Sequence, residues 1–230
     1  MTDPADSPPV ETVSPPKLYG YWRSTAAYRV RIALALKGIE YRHAGVDLVR
    51  DGGQQHGNAF RGLNPAGLVP TLVWGDVVLS QSLAICEYLD EIQGEPPLLP
   101  QGAAARALAR AIAQDIACDV HPLNNLRVQQ YLGRELGADE AARTTWMHHW
   151  MATGFSGVEA RLAGIAPAGD TCFGGAPGLA DLCLVAQAYN ANRFGYSLGP
   201  YPRVLRVVEH CQDLPAFRDA APERQPDAPA

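Results

Sequence analysis

The stretch that decides the fold is residues 17–48, which read KLYGYWRSTAAYRVRIALALKGIEYRHAGVDL. Residues 17–21 form a short apolar run of the kind that predicts a β-strand. Ser24 suits the N-cap position of a helix, because residues 26–36 carry helix formers with apolar side chains three and four positions apart. The stretch therefore opens with a strand that leads into a helix.

The second half of this stretch predicts another strand. Lys37 and Gly38 indicate where the helix ends, since a basic residue in the last turn and a glycine just beyond it are typical of helix C-termini. Residues 41–48 then have the composition of a strand. If the helix is a crossover, this strand lies parallel to the first, with the usual right-handed connection.

A hairpin and a second helix follow. Residues 50–63 are polar and rich in glycine, so we expect an irregular loop there. Residues 71–74 and 77–79 are short β-prone runs around a Gly-Asp pair, which predicts a tight hairpin. The amphipathic pattern of residues 81–91 predicts a helix. This order of elements predicts a sheet of mixed strand directions with helices packed on it.

Beyond a proline-rich linker the β-prone runs disappear, and helical patterns cover residues 103–132, 139–163, 179–194 and 201–211. We therefore expect a second domain that is all-helical. The predicted organisation is, in order, a disordered leader (1–16), a sheet domain (17–95), a linker (96–102), the helical domain (103–222) and a tail unable to form a core (223–230).

Composition and charge exclude several classes of protein. The chain has 24 acidic and 19 basic residues, a net charge of −5, and no basic stripe, so we expect no nucleic-acid partner. No apolar run approaches the ~18 residues that a membrane-spanning helix needs, so we expect no membrane partner. The N-terminus lacks the basic start and apolar centre of a signal peptide.

The five cysteines predict neither a disulfide framework nor a metal site, because their number is odd and no C-x-x-C pair occurs. Cys86, Cys118 and Cys183 lie inside apolar helical patterns, so we expect small buried side chains there. Reduced cysteines are typical of a cytoplasmic protein.

Seven short motifs, in order along the chain, carry a resemblance to a known family. They are RSTAAYRVRIAL (23–34), DGGQQ (51–55), LNP (63–65), VPT (69–71), QS (81–82), HPLNN (121–125) and NANRF (190–194). Together they resemble the zeta class of the glutathione transferases, from residue 17 to about residue 222. The resemblance implies an α/β thioredoxin-like N-terminal domain, an all-α C-terminal domain and a homodimer.

The resemblance also implies that glutathione is the cofactor. Its thiolate would face Ser24 and, less directly, Thr25, because the start of a helix offers unpaired N–H groups and a positive dipole end. The alternative is that Ser24 is only an N-cap. The other glutathione contacts implied by the resemblance are Gln55, Val69, Pro70, Gln81, Ser82, His121 and Asn125.

Two of these contacts have a clear physical reason. If Pro70 is cis, it turns the backbone of Val69 toward an extended peptide, although an ordinary trans proline before an edge strand is the alternative. Gln81 and Ser82 open a helix, where N–H groups and a hydroxyl suit the glutamyl carboxylate. For His121, a partly buried polar residue without a role is the alternative.

The zeta class includes maleylacetoacetate isomerases and maleylpyruvate isomerases of aromatic-compound catabolism, so the resemblance implies a glutathione-dependent cis–trans isomerase with a small acidic substrate. Arginine binds carboxylates bidentately, and three arginines match family positions: Arg23, Arg127 and Arg193. Lysine occurs only twice in the chain. Arginine is therefore the default cation, and many arginines will lie on the surface.

Two departures from the family pattern leave other functions open. Ala26 stands where most zeta-class chains have cysteine, and Gly178 stands where many glutathione transferases have the Ser or Thr that caps a core helix. One alternative is a general glutathione transferase that acts on electrophiles such as α-halo acids. The other is a non-catalytic binding protein on the same scaffold.

Overall fold

The computed structural model describes residues 14–165 and 169–229. The predicted leader lies outside the described residues up to residue 13. The N-terminal part contains a four-stranded sheet in the order β2-β1-β3-β4. Its strands are β1 (Lys17–Gly20), β2 (Arg42–Gly45), β3 (Thr71–Trp74) and β4 (Val77–Ser80). β1 runs parallel to β2 and antiparallel to β3, and β3 is antiparallel to β4, which confirms the mixed sheet.

Two helices of the N-terminal part pack against each other beside the sheet: α1 (Thr25–Leu36) and α3 (Ser82–Ile92). The expectation of an irregular loop over residues 50–63 is wrong for its second half, which forms the short helix α2 (Asn58–Leu63). Phe60 of α2 is buried beside Tyr19 of β1, with ring centroids 6.2 Å apart. This tertiary contact stabilises a helix that its polar, glycine-containing sequence does not predict.

The rest of the chain is helical. Its helices are α4 (Ala103–Gln114), α5 (Leu126–Arg134), α6 (Glu140–Gly164), α7 (Leu179–Arg193), α8 (Pro202–Asp213) and α9 (Pro215–Asp219). The helical pattern over residues 103–132 is interrupted by a π-helical turn, Asp115–Val120, that joins α4 to a loop. His121 N–H donates to Ile116 O at 2.8 Å, and Pro122 has no N–H to continue the helix.

Helix α7 lies at the centre of the helical part, with twelve of its side chains buried, and it packs against α1. The two parts of the chain therefore share one hydrophobic core. Cys86 and Cys183 are buried in it as predicted. Cys118 is exposed, contrary to the prediction, because Ile116 and Val120, two residues away on either side, form the buried face of this turn.

The residues after α9 fold back onto the N-terminal part. Gln225 is buried, and Asp227 contacts both β2 and the turn before α1. The composition of this tail does not predict these contacts. Within the described residues, no helix has both the length and the apolarity to cross a membrane.

Candidate active site

The start of α1 lies at the mouth of a cleft between the two parts of the chain. The Ser24 hydroxyl oxygen accepts a hydrogen bond from Ala27 N–H at 3.2 Å, so Ser24 is the N-cap of α1, as predicted. A hydroxyl has one hydrogen and two lone pairs, so this bond leaves its hydrogen free to donate. Ser24 is half-buried and lines the cleft, which makes it able to cap the helix and donate to an anion at once.

The next residue, Thr25, connects the helix start to His121. Thr25 is buried, and its Oγ1 lies 2.8 Å from His121 Nδ1. On its other side, His121 Nε2 lies 3.5 Å from Asn125 Nδ2. With this Asn125 nitrogen as donor, Nε2 accepts and Nδ1 carries the proton that it donates to Thr25. The Thr25 hydroxyl hydrogen then remains available for another acceptor.

His121 is neutral in this setting. Burial lowers the pKa of His121 to about 3, and the neighbouring charges of Arg29 and Arg127 act in the same direction. At neutral pH His121 therefore carries no charge, and it serves to connect Thr25 and Asn125 by hydrogen bonds.

Arg29, the fifth residue of α1, reaches the start of α3. Its side chain is 1 % exposed, and its Nη1 donates to Ser82 Oγ at 3.2 Å. Because a guanidinium only donates, Ser82 must accept this bond, so the Ser82 hydroxyl hydrogen is free. The Nε and Nη2 atoms of Arg29 are buried and have no partner among the described residues. A buried cation with free donors fits an anionic ligand.

The larger part of the cleft has a volume of about 440 Å³. The Val69–Pro70 peptide bond in its wall is cis, as the resemblance implies. Val69 lies beyond the last residue pair of the β1–β3 ladder, so its backbone is not paired in the sheet. The predicted site residues that line this part are Val69, Pro70, Gln81, Ser82, His121, Asn125 and Arg127.

The smaller part of the cleft, about 80 Å³, lies on the other side of His121 and Asn125, which line both parts. Arg23 and Arg193 both line it. Although much of Arg193 is exposed, burial of its guanidinium lowers the pKa of Arg193, and the charge of Arg23 lowers it further. Two guanidinium groups this close repel each other, and an anion between them would relieve that repulsion.

The three predicted arginines lie in different parts of the cleft. Arg23 and Arg193 lie together, whereas Arg127 is exposed at the wall of the larger part. Gln55 lines neither part. Its Nε2 donates to Leu48 O at 3.4 Å, and Leu48 in turn lines the smaller part.

Several lining residues were missed by the sequence analysis. Arg29 was not among the arginines singled out from the sequence, and Cys118 was expected to be buried, yet both line the larger part of the cleft. Asn124 and Asn190 line the smaller part. The two asparagines lie inside motifs that carried the resemblance, so that signal could have identified them. Nothing in the sequence around Arg29 indicates which way its side chain turns.

The fold and the cleft together define the class: a thioredoxin-like domain and an all-helical domain that share a cleft, with a hydroxyl at the start of α1, as in glutathione transferases. The family model of the glutathione S-transferase N-terminal domain matches residues 23–92. A probable maleylacetoacetate isomerase from Vibrio cholerae is 49% identical over 211 residues, which cover 92% of this chain and 97% of that protein.

Two solved structures agree with this class. The holo structure of a maleyl pyruvate isomerase, a bacterial zeta-class glutathione S-transferase, has a TM-score of 0.90 and 46% identity, covering 93% of this chain and 100% of that one. A maleylacetoacetate isomerase from Methylobacterium extorquens AM1, with bound malonate and glutathione, has a TM-score of 0.88 and 45% identity, with the same coverage. The chain belongs to the zeta class of the glutathione transferase family.

Proposed function

We propose that this protein is a glutathione-dependent cis–trans isomerase of a maleyl keto acid. One observation supports this proposal above all: the Ser24 hydroxyl at the start of α1 and the pair Arg23 and Arg193 line the same small part of the cleft. The relatives described above are isomerases of this kind, and one of them binds glutathione together with a dicarboxylate, malonate.

Glutathione fits the larger part of the cleft. Its glutamyl carboxylate would lie at the start of α3, where the free hydrogen of the Ser82 hydroxyl and the buried charge of Arg29 favour an anion. The unpaired backbone of Val69 would bind the extended peptide as an added strand, while Gln81, Asn125 and His121 line its path. In this proposal Gln55 acts indirectly, through Leu48.

The smaller part of the cleft would bind the substrate. Arg23 and Arg193 each offer several N–H donors, so together they can hold the acidic groups of a maleyl keto acid. Arg127, on the wall of the larger part, is better placed to attract the approaching anions than to fix the substrate.

When bound, glutathione would supply a thiolate able to add reversibly to the conjugated double bond, which leaves a C–C single bond free to rotate. Ser24 donates its free hydroxyl hydrogen to the sulfur and lowers the pKa of the thiol. Thr25, held by His121, offers a second hydroxyl hydrogen beside it. Arg23 and Arg193 hold the ends of the substrate and stabilise the negative charge that develops on its carbonyl oxygen.

The direct experiment adds maleylpyruvate or maleylacetoacetate to the protein with glutathione, without a thiol, or with S-methylglutathione, and follows the loss of substrate absorbance. We expect loss only with glutathione, and no net consumption of it. The preferred keto acid identifies the substrate. If neither keto acid reacts and an α-halo acid consumes glutathione instead, the isomerase proposal is wrong.

A variant tests the assignment of the smaller part of the cleft. Arg193→Ala removes a charged donor, so we expect KM for the keto acid to rise by about 10- to 100-fold, given ~1.5–3 kcal/mol for a hydrogen bond to a charged group. Glutathione affinity, measured by calorimetry, should stay unchanged. Arg203→Ala, an exposed arginine of α8, is the matched control.

The cellular setting belongs to the same proposal. All five cysteines are free, which favours a reducing compartment, and we propose the cytoplasm. We further propose a homodimer, the usual state of the family.

A further inference from the structure

The turn between β1 and α1 is held by a residue from the other end of the chain. Trp22 N–H donates to Asp227 Oδ2 at 2.9 Å. The second carboxylate oxygen of Asp227 lies 2.8 Å from His43 Nε2 on β2. Gly45, at the end of β2, makes room for this approach, because a Cβ there would lie 3.2 Å from Asp227 Cβ. The carboxylate therefore hydrogen-bonds the turn while lying against the sheet.

The carbonyl of the same residue is held as well. Arg31 Nη2 donates to Trp22 O at 3.0 Å, and Arg31 Nε donates to Ala220 O at 2.9 Å. Arg31 is 1 % exposed, so this guanidinium is fixed by its surroundings. Both backbone polar groups of Trp22 are thus bound to groups that lie outside the turn. The N–H is bound by Asp227, and the carbonyl is bound by Arg31, which also donates to Ala220 O just after α9.

We infer that Asp227 is a positioning residue for the reaction: it orients the Trp22 peptide and thereby sets Arg23 and Ser24. The inference rests on the proposed function of Arg23 and Ser24. These two residues follow Trp22 directly, so a rotation of the Trp22 peptide displaces both. Catalysis is sensitive to such displacements, since about 1 Å can cost roughly 100-fold in rate.

The tail that carries Asp227 is anchored without it. Gln225 is buried and donates to Ala221 O at 2.9 Å, and the Tyr189 hydroxyl donates to Glu223 at 2.7 Å. Loss of the Asp227 carboxylate should therefore leave the tail in place and release only the Trp22 N–H, while Arg31 still holds Trp22 O. This separates a positioning role from a purely structural one.

The test compares Asp227→Ala with Asp227→Asn. We expect Asp227→Ala to lower kcat for isomerisation by about tenfold or more, while glutathione affinity, measured at a pH where the bound thiol is protonated, changes less than twofold, because the turn moves and the larger part of the cleft does not. Asn retains an oxygen that accepts from Trp22 N–H, so Asp227→Asn should restore most of the activity. Glu223→Gln, which keeps its bond to Tyr189, is the control and should behave as wild type.

A second readout does not depend on isomerisation. The ultraviolet absorbance of the thiolate of bound glutathione, followed against pH, gives the pKa of the thiol. We expect this pKa to be higher in Asp227→Ala than in wild type, because Ser24 is no longer aligned. If wild type binds glutathione but isomerises nothing, the proposed function fails while this titration still tests the inference.

The inference is wrong if Asp227→Ala keeps both its kcat and the wild-type thiol pKa. It is equally wrong if kcat, glutathione affinity and melting temperature all fall together, and Asp227→Asn falls with them, since that pattern indicates general destabilisation. Should Asp227→Ala not fold, Asp227→Ser, whose side chain is too short to reach Trp22, replaces it in both measurements.

Discussion

Two helices that pack against each other, α1 and α7, begin in opposite ways. The cap of α1 is Ser24, a half-buried hydroxyl at the cleft that accepts one hydrogen bond and retains a hydrogen to donate. The start of α7 is mostly buried beside a separate cavity, and its N–H groups already have protein partners: Gly178 N–H donates to Asp181, and Leu179 N–H donates to Leu98 O at 2.7 Å. The N-terminus of a helix is an anion site only where the fold leaves its donors unsatisfied and accessible.

The start of α7 has no capping side chain, because its N-cap is Gly178. Asp181, in the first turn, instead binds backbone N–H groups at and before the helix start. Its two oxygens accept from Gly178 N–H at 2.8 Å and from Cys172 N–H at 2.7 Å. A Cβ at residue 178 would clash with the backbone of Leu98, which explains why glycine stands where a Ser or Thr is common.

The largest effect is expected from Ser24→Ala. It removes the donor to the thiolate, so kcat/KM for isomerisation should fall by roughly 100- to 1000-fold, the effect of deleting one donor to a developing anion. The free energy of unfolding should fall by only about 1 kcal/mol from the lost cap. Steady-state kinetics and urea denaturation measure the two.

Ser24→Thr is the matched control, since it keeps both the cap and the hydroxyl, and it should retain most of the activity. Equal activity of Ser24→Ala and wild type would mean that both helix starts are merely structural.

Asp181→Ala should show the opposite pattern. It leaves two backbone N–H groups without partners in the core, so the free energy of unfolding should fall by about 2–4 kcal/mol, measured by urea denaturation. Asp181 is 2 % exposed and lines neither part of the cleft. We therefore expect kcat of the folded fraction to stay unchanged.

The control for this variant is Asp139→Ala, which removes an exposed aspartate cap of α6 that accepts from Ala142 N–H at 2.8 Å. Its loss should cost only about 1 kcal/mol. A similar cost for both variants would contradict the buried character of the α7 start.

The last prediction concerns His121, the partner of Thr25 at the start of α1. Burial keeps the pKa of His121 at about 3 in the folded state, below its ordinary value of 6.5. Between these values the unfolded chain binds a proton that the folded protein does not, so stability falls as the pH falls through this window. His121→Gln should therefore lose less stability than wild type between neutral and acidic pH.

The measurement is the difference in unfolding free energy between His121→Gln and wild type, followed from pH 7 to about pH 4. The raised pKa of the buried Asp181 is common to both proteins and cancels in the difference. His149→Gln, an exposed histidine on α6, is the control. Parallel curves for His121→Gln and wild type would show that His121 titrates normally in the folded protein.

Much of the fold was predictable because its signals are local. The strand pattern of residues 17–21, the Ser24 cap and the hairpin around Gly75 are short-range features, and the structure has all of them close to their expected positions. Helix α2 was missed because its stability comes from the contact of Phe60 with β1. Cys118 was placed wrongly because the buried face of the π-helical turn consists of Ile116 and Val120, and the apolar composition around Cys118 does not show which face is covered.

For the site, the residues that came from the motifs mostly lie at the cleft, and those set by packing were not foreseeable. Arg29 and Arg31 are two positions apart on α1 and equally buried. One reaches the start of α3, and the other reaches Trp22 and the residues after α9. No local pattern separates them, because the difference depends on which distant element covers each face of the helix.

By itself, the sequence determined the order of strands and helices, the capped start of α1 and the family to which the chain belongs, because each of these depends on residues close together in the chain. Only the tertiary structure decided which polar groups retain free donors. Asp181 uses its oxygens inside the core, Ser24 keeps a hydrogen at the cleft, and Asp227 holds the turn beside it. That outcome depends on long-range packing, which determines whether a polar group meets a protein partner or a ligand.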